Sequence, residues 1–511
     1  MGNEVSNKKD YNIVLEFIKG KTKDEKEAFN FLLQMSLLSE LDKLYDILTP
    51  DDTKKMFITI PKHLLMAASS AIKLLTEFAE KNEINTQNEL QVRRIVKVLN
   101  LILPNIISNQ ELSTLFLEYN FLEIDNIEEN FLKDIFVKQS SNFSSIQNTA
   151  NLIILIKAIL ILLFKQNICI PSSNQIPPSS LLEPNIHIIW HSGIFVDNCP
   201  QDKIKNFNLS RLELLRLLLI LTASSAYIPA KKNIKQINYT LLILTNKYAP
   251  NCQNLFYSLI NTLLGYDWKG LGIPFLHTIQ TNSPEEDIAQ ICSELLLALI
   301  DFKPIEPTSS KLLKDTSEFL LKNLSNNDPS MNLLESFKSQ EILNLITGIN
   351  KIHDLDVLYN GSMRDFENII QANSTTIPNS YKKLSFINSI VFLFFRIAII
   401  NPHFCKDLLI RNNPRKMILS LLILINKNYL KLNEIDIFYV SIYFLLKLSE
   451  VEEFSNIINN IPFNEGINFK VPSFSGSYAD LFILIIHKII NDNSSHLINA
   501  KNALFYILKN M

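Results

Sequence analysis

Apolar and polar positions recur along this chain with the period of an α-helix. Between Ala67 and Ala79, the residues Ala68, Ala71, Ile72, Leu75 and Phe78 lie three or four positions apart. That spacing lays one apolar stripe along a helix. The pattern resumes from Val92 to Ile107, where Pro104 predicts a kink or an end because it removes one amide donor. Ser283-Pro284-Glu285-Glu286 reads as a helix start, with Ser283 as cap and proline in the first turn, and the helix runs to about Asp301. Met417 to Leu424 and Ile435 to Leu448 read as a helix pair joined by a polar turn around Asn428 to Asn433. Strand signals are scarce. The dipeptide Asn360-Gly361 falls in what reads as a polar connector.

Two apolar runs are judged as membrane spans. Leu152 to Phe164 is interrupted by Lys157, and Phe386 to Ile400 by Asn388 and Arg396. Both fall short of the ~20 apolar residues that a helix needs to cross a bilayer, so each is expected to be a largely buried helix. The helix pairs have the size of the ~40–47-residue units of HEAT and armadillo arrays. The fold class expected is therefore all-α, an irregular helical-repeat solenoid, with a compact all-α domain as the alternative arrangement. Pro171, Pro177, Pro178 and Pro184, interleaved with serines, mark the longest loop or seam. The expected organisation is a flexible segment 1–10, an N-terminal helical lobe 11–168, a Pro/Ser-rich loop 169–188, a central block 189–302 with a glycine-rich turn, and C-terminal helical repeats 303–511.

Composition narrows the functions. At 47% hydrophobic and 20% charged residues the chain carries enough apolar surface for a large core. Its net charge of −2 gives no field that would gather nucleic acid. The basic clusters Arg93, Arg94, Lys97 and Lys231, Lys232, Lys235 read as solvated helix faces. The five cysteines are odd in number and widely spaced, which fits a reducing compartment and neither a disulfide framework nor a metal knuckle. The start is polar, and no apolar stretch of a secretory signal follows it.

The stretch from Ile189 to Phe275 is the most individual. It holds both tryptophans, Trp190 and Trp268, and four of the chain's 10 glycines, three of them between Gly265 and Gly272. Glycine used sparingly elsewhere is expected here for a positive φ or a close backbone approach. Ser210 followed by Glu213 reads as a capping box, with Leu209 and Leu214 as its hydrophobic staple. Ile189-Trp190, the run Leu209 to Leu219, Tyr227-Ile228-Pro229 and Leu255 to Thr262 resemble the Hid family, the high-temperature-induced dauer-formation proteins, which are related to dymeclin. So do Gly265-Tyr266-Asp267 and Gly270-Leu271-Gly272-Ile273-Pro274, and a third block near the end, Val471 to Leu481 with His487-Lys488-Ile489-Ile490, is similar as well.

The resemblance implies a cytoplasmic, peripheral Golgi protein acting in trafficking. Animal members of that family are linked to sorting and maturation of secretory vesicles, and a fungal relative holds a deubiquitinating enzyme at the Golgi. Met1-Gly2-Asn3-Glu4-Val5-Ser6 satisfies the pattern for N-myristoylation at Gly2, a start that members of the family share. The transferase needs an amino-terminal glycine because any side chain there obstructs amide formation.

No catalytic or cofactor signature holds. Gly270-Leu271-Gly272 lacks the third glycine of a dinucleotide fingerprint, and there is no P-loop, H-E-x-x-H or G-x-S-x-G. His187 and His191 have i,i+4 spacing near Asp197 and Cys199, yet Ile188, Ile189 and Trp190 between them point to packing rather than zinc. Asp480 and His487, seven apart on one helix, sit about 10 Å apart along the axis, too far for a proton relay. The expectation is a non-enzymatic scaffold on Golgi membranes, tethered by a myristoyl group on Gly2, with no cofactor, metal, nucleic acid or small-molecule substrate. Its contact residues are Tyr266, Asp267, Gly270, Gly272 and Pro274, with Asp480 and His487 in the third block. The alternatives are a soluble helical-repeat adaptor that recruits a deubiquitinating enzyme to the Golgi through protein contacts alone, and an enzyme whose site the sequence hides.

Overall fold

A helix that buries one stripe needs a neighbour for it, and the first described helix packs against two others. The structure is a computed structural model that describes residues 61–81, 84–108, 113, 116, 150–171, 188–196, 207–227, 238–268, 284–303, 316, 318, 340–374, 383–411, 414–464, 467, 469–472, 474–492 and 494–511. Every regular element among them is helical, with three isolated β-bridges besides. The described residues fall into two compact units.

The first unit contains α1 (Pro61–Glu80), α2 (Thr86–Ser108), α3 (Asn151–Leu162), α4 (Asn208–Thr222) and α5 (Tyr239–Leu244). The stripe Ala68, Ala71, Ile72, Leu75 and Phe78 is buried as its spacing predicts, against α2 and α3. Pro104 does not end α2, which runs through it to Ser108. Burial of Leu103, Ile106 and Ile107 around it outweighs one lost backbone bond. Helix α3 is buried on nearly all sides, with Lys157 its exposed residue.

Two expectations fail in this unit. Ser210 does not cap a helix: α4 begins two residues earlier, at Asn208, behind Phe207, which makes no side-chain capping bond. Ser210 Oγ instead donates to Glu89 Oε1, and Asn100 Nδ2 donates to Glu213 Oε2 at 3.0 Å. Leu209, the supposed staple, is exposed. The basic cluster at Arg93 and Lys97 is likewise no solvated face, while Lys231, Lys232 and Lys235 lie outside the described residues. Arg93 and Lys97 are buried and meet Glu89 at 3.2 Å and Glu213 at 3.9 Å. Long-range polar pairing between α2 and α4 has overridden the local capping signal. Arg211, 2% exposed, adds a fork onto the turn after α3, its Nε and Nη2 donating to Cys169 O at 3.0 and 2.8 Å.

The second unit holds α6 (Cys252–Gly265) from Gln253 onward, then α7 (Pro284–Asp301), α8 (Glu341–Thr347), α9 (Ile352–Ser374), α10 (Ile387–Ile400) and α11 (Pro402–Ile410). It continues with α12 (Arg415–Asn428), α13 (Ile435–Ser449), α14 (Glu453–Asn460), α15 (Tyr478–Ile490) and α16 (Ile498–Asn510). Phenyl rings join these helices: Phe366 lies 6.0 Å from Phe394 and 6.1 Å from Phe444, and Phe394 lies 6.3 Å from Phe404. Asn401 turns the corner between α10 and α11. Its side chain accepts from Phe404 N and donates to Ile346 O and Ile349 O, both at 2.8 Å. Proline at the first helical position follows it, where no amide donor is needed. The pair α12 and α13 matches the expected helix–turn–helix.

Asn360-Gly361 lies in the middle of α9 and not in a connector. A Cβ on Gly361 would sit 2.5 Å from Leu264 Cδ2, so the bare backbone is what lets α9 approach α6. Among the described residues no single helix is long and apolar enough to cross a membrane; α10 and α11 reach the length together only across a bend of 112°. The described cysteines, Cys169, Cys252, Cys292 and Cys405, are buried thiols.

Candidate protein-contact site

The central stretch folds around one amide. Asn261, fully buried on α6, accepts from Ile194 N at 2.9 Å and donates to His191 O at 3.2 Å and Ile194 O at 3.1 Å. These bonds hold segment 188–196 as a tight turn, closed by Gly193 N to Val196 O at 2.7 Å and Val196 N to Gly193 O at 3.1 Å. Gly193 has φ +152°, and a Cβ there would stand 2.7 Å from Asn261 Oδ1. This position needs glycine for both reasons. Ile189 and Val196 form a small buried cluster under the turn, against which Tyr257 packs, and Trp190 is wholly buried.

Phe195 occupies the corner at φ +69°, a left-handed conformation costing a bulky residue roughly 1–2 kcal/mol. Its amide donates to Asp354 Oδ1 at 2.8 Å, which fixes the corner onto the first turn of α9. The residue is 40% exposed, and its ring stacks on Tyr257 at 5.3 Å with 9° between planes and lies under the Lys351 ammonium at 5.2 Å. Burial, then Asp354 and Glu341, push the Tyr257 hydroxyl up to about 12, so it stays a neutral donor.

At the far end of α6, Tyr266 is half-buried 6.2 Å from Phe386, its phenol pushed well above its ordinary range by burial and by Glu286, Glu285 and Asp267. Asp267 is exposed. Trp268 is buried and donates Nε1 to Arg364 O at 3.0 Å, while Arg364 Nη2 donates to Leu264 O. Next to Arg364, Asp365 is buried with Oδ2 unbonded, and burial raises its carboxyl to about 8. Gly270, Gly272 and Pro274 lie outside the described residues, as do Gly2, His187, Asp197 and Cys199. His191 stands in the bend before the turn, off any helix. Among the described residues no three His, Cys, Asp or Glu side chains converge as a metal site.

In the third block, Asp480 and His487 share α15 but serve separate local contacts. Asp480 completes a capping box with Ser477, accepting from Ser477 N at 2.7 Å. His487 meets Asn491 one turn on at 3.1 Å. The loop before α15 folds back through Phe463 N to Gly476 O at 2.8 Å, and Phe463 gathers Phe469, Phe474 and Tyr478 around it.

Residues 12–511 match the family described as high-temperature-induced dauer-formation protein. Protein HID1 of Mus musculus is 24% identical over 323 residues, which cover 63% of this chain and 39% of the relative. Protein HID1 of Dictyostelium discoideum is 22% identical over 375 residues, 72% of this chain and 41% of the relative. The Ubp5-interacting protein ftp105 of Schizosaccharomyces pombe is 30% identical over 135 residues, 26% of this chain and 14% of the relative. The chain thus matches about two fifths of the length of the HID1 relatives. No solved structure matches it. With a match that runs through nearly all its residues, the chain belongs to the high-temperature-induced dauer-formation protein family.

Proposed function

We propose that this protein is a non-catalytic scaffold of Golgi membranes in secretory vesicle trafficking, built as an irregular helical array and tethered by a myristoyl group on Gly2. The observation that carries the reading is family membership across residues 12–511, together with a relative whose name records an interaction with another protein, Ubp5. The Met1-Gly2-Asn3-Glu4-Val5-Ser6 start supports the lipid. One myristoyl chain binds a bilayer only marginally, at about 10⁴ M⁻¹. Lys8 and Lys9 add about 1 kcal/mol each on an anionic leaflet, and Glu4 and Asp10 offset part of it. Residence on the membrane therefore calls for a second contact, with a protein at the Golgi, a deubiquitinating enzyme being the partner class that the family suggests.

The glycine-rich turn at Tyr266, Asp267, Gly270, Gly272 and Pro274, and the exposed Asp480 and His487, are the contact residues of this reading. Intact-mass measurement after coexpression with a myristoyl transferase tests it. An added myristoyl mass on the parent chain and none on Gly2→Ala is the expected result, with Gly2→Ala moving from Golgi membranes to cytosol. A free amino terminus in the parent, or a variant that stays on the Golgi, overturns the tether.

A further inference from the structure

We infer that the corner of segment 188–196, with its Phe195–Tyr257–Lys351 stack, is a docking point for a short segment of a partner protein that presents an apolar side chain beside an aspartate or glutamate. The inference rests on the scaffold reading above and gives it a surface. Three independent features converge on the corner. Phe195 holds a φ of +69°, where glycine or asparagine costs far less. Strain of this kind persists only where the surroundings over-determine it, and here Asn261 and Asp354 do so through four buried or half-buried hydrogen bonds.

What the strain yields is a ring aimed outward and not into a core. Phe195 is 40% exposed and Ile352, one residue beyond Lys351, is 75% exposed. A rigid aromatic surrounded by polar residues is the anatomy of an interface hot spot. The charge around it sets the partner's chemistry. The acids nearby are engaged: Asp354 accepts from Phe195 N and meets His353 Nδ1 at 3.4 Å, and Glu341 accepts from Gln253 Nε2 at 3.3 Å. Lys351 is exposed and makes no ion pair among the described residues. Its ammonium gives the rim a cationic edge that a carboxylate complements.

The test selects short random peptides displayed on phage against the full chain, with counter-selection against Phe195→Asn. Asparagine keeps the positive φ without the ring, so the variant is expected to melt no lower than the parent. Enriched peptides are expected to pair an aromatic or long aliphatic residue with Asp or Glu. Their affinity is expected to fall about tenfold or more on Phe195→Asn. Lys351→Glu, an exposed change that leaves the fold intact, should turn the selected preference from Asp and Glu to Lys and Arg. Peptides that bind parent and both variants alike, or no enrichment at all, overturn the proposal. So does a parent chain that sediments as a dimer and is dissociated by Phe195→Asn, because the occupant is then a second copy. The assay contains no lipid, so its failure leaves the membrane tether standing, and failure of the tether leaves the peptide result standing.

Discussion

Asn261→Ala is the perturbation that reaches deepest into the central stretch. The parent amide makes three bonds to the turn at 2.9, 3.1 and 3.2 Å with no solvent access. Truncation strands the Ile194 amide as a buried donor, costing about 1–3 kcal/mol, and removes two further bonds worth about 1 kcal/mol each. The total expected is about 3–5 kcal/mol, reduced to the extent that water enters the space. Urea denaturation gives the loss, and hydrogen-exchange mass spectrometry of a peptide spanning 191–196 locates it. Asn261→Asp separates the parts, since it keeps the acceptor for Ile194 N but turns a donor into an oxygen facing two carbonyls. A loss below about 1 kcal/mol with unchanged protection at Ile194 would refute the idea that this amide holds the turn.

Asp365 gives a pH signature. Its carboxyl sits at about 8 in the folded chain against an ordinary 3.8, because burial disfavours the anion. The folded state therefore holds the proton more tightly than the unfolded one, and the group's contribution to stability falls as pH rises from about 4 to 8. Asp365→Asn should gain on the parent progressively across that window in denaturation at matched ionic strength; a pH-independent difference contradicts it. Gly361→Ala should destabilise by about 1–3 kcal/mol through its clash with Leu264, despite alanine's better helix propensity. Leu264→Ala in the same chain should cost less than the sum of the two single changes, as a double-mutant cycle will read. Arg211→Lys should cost about 1–3 kcal/mol, since a lysine replaces the two-pronged grip on Cys169 O with a single donor.

The elements that were legible in the sequence are those whose signal is local. The stripe of α1 and the pair α12–α13 stand where periodicity placed them, because burial of a helical face needs no distant information. Ser210 and Glu213 show the limit: the S-x-x-E spacing is a genuine capping signal, but Glu89 and Asn100, more than 100 residues earlier, take both side chains. Ser477 and Asp480 carry the same kind of spacing and do form a capping box. Asn360-Gly361 misled because a turn dipeptide and a close helix crossing both call for glycine, and only the position of Leu264 tells them apart. The Asn261–Gly193–Phe195 arrangement had no sequence signal beyond an isolated glycine. Its partners are separated by 67 and 159 residues, and Phe195 reads as an ordinary apolar residue until its φ is seen. The family resemblance, by contrast, was legible from three ordered blocks and extends across residues 12–511.

The scaffold reading is tested most directly by where ubiquitin cleavage occurs. In cells lacking this chain, deubiquitinating activity on purified Golgi membranes should fall while the total cellular activity holds, and the purified chain should release no ubiquitin by itself. An unchanged Golgi share, or cleavage by the isolated protein, would contradict a non-catalytic scaffold that recruits such an enzyme.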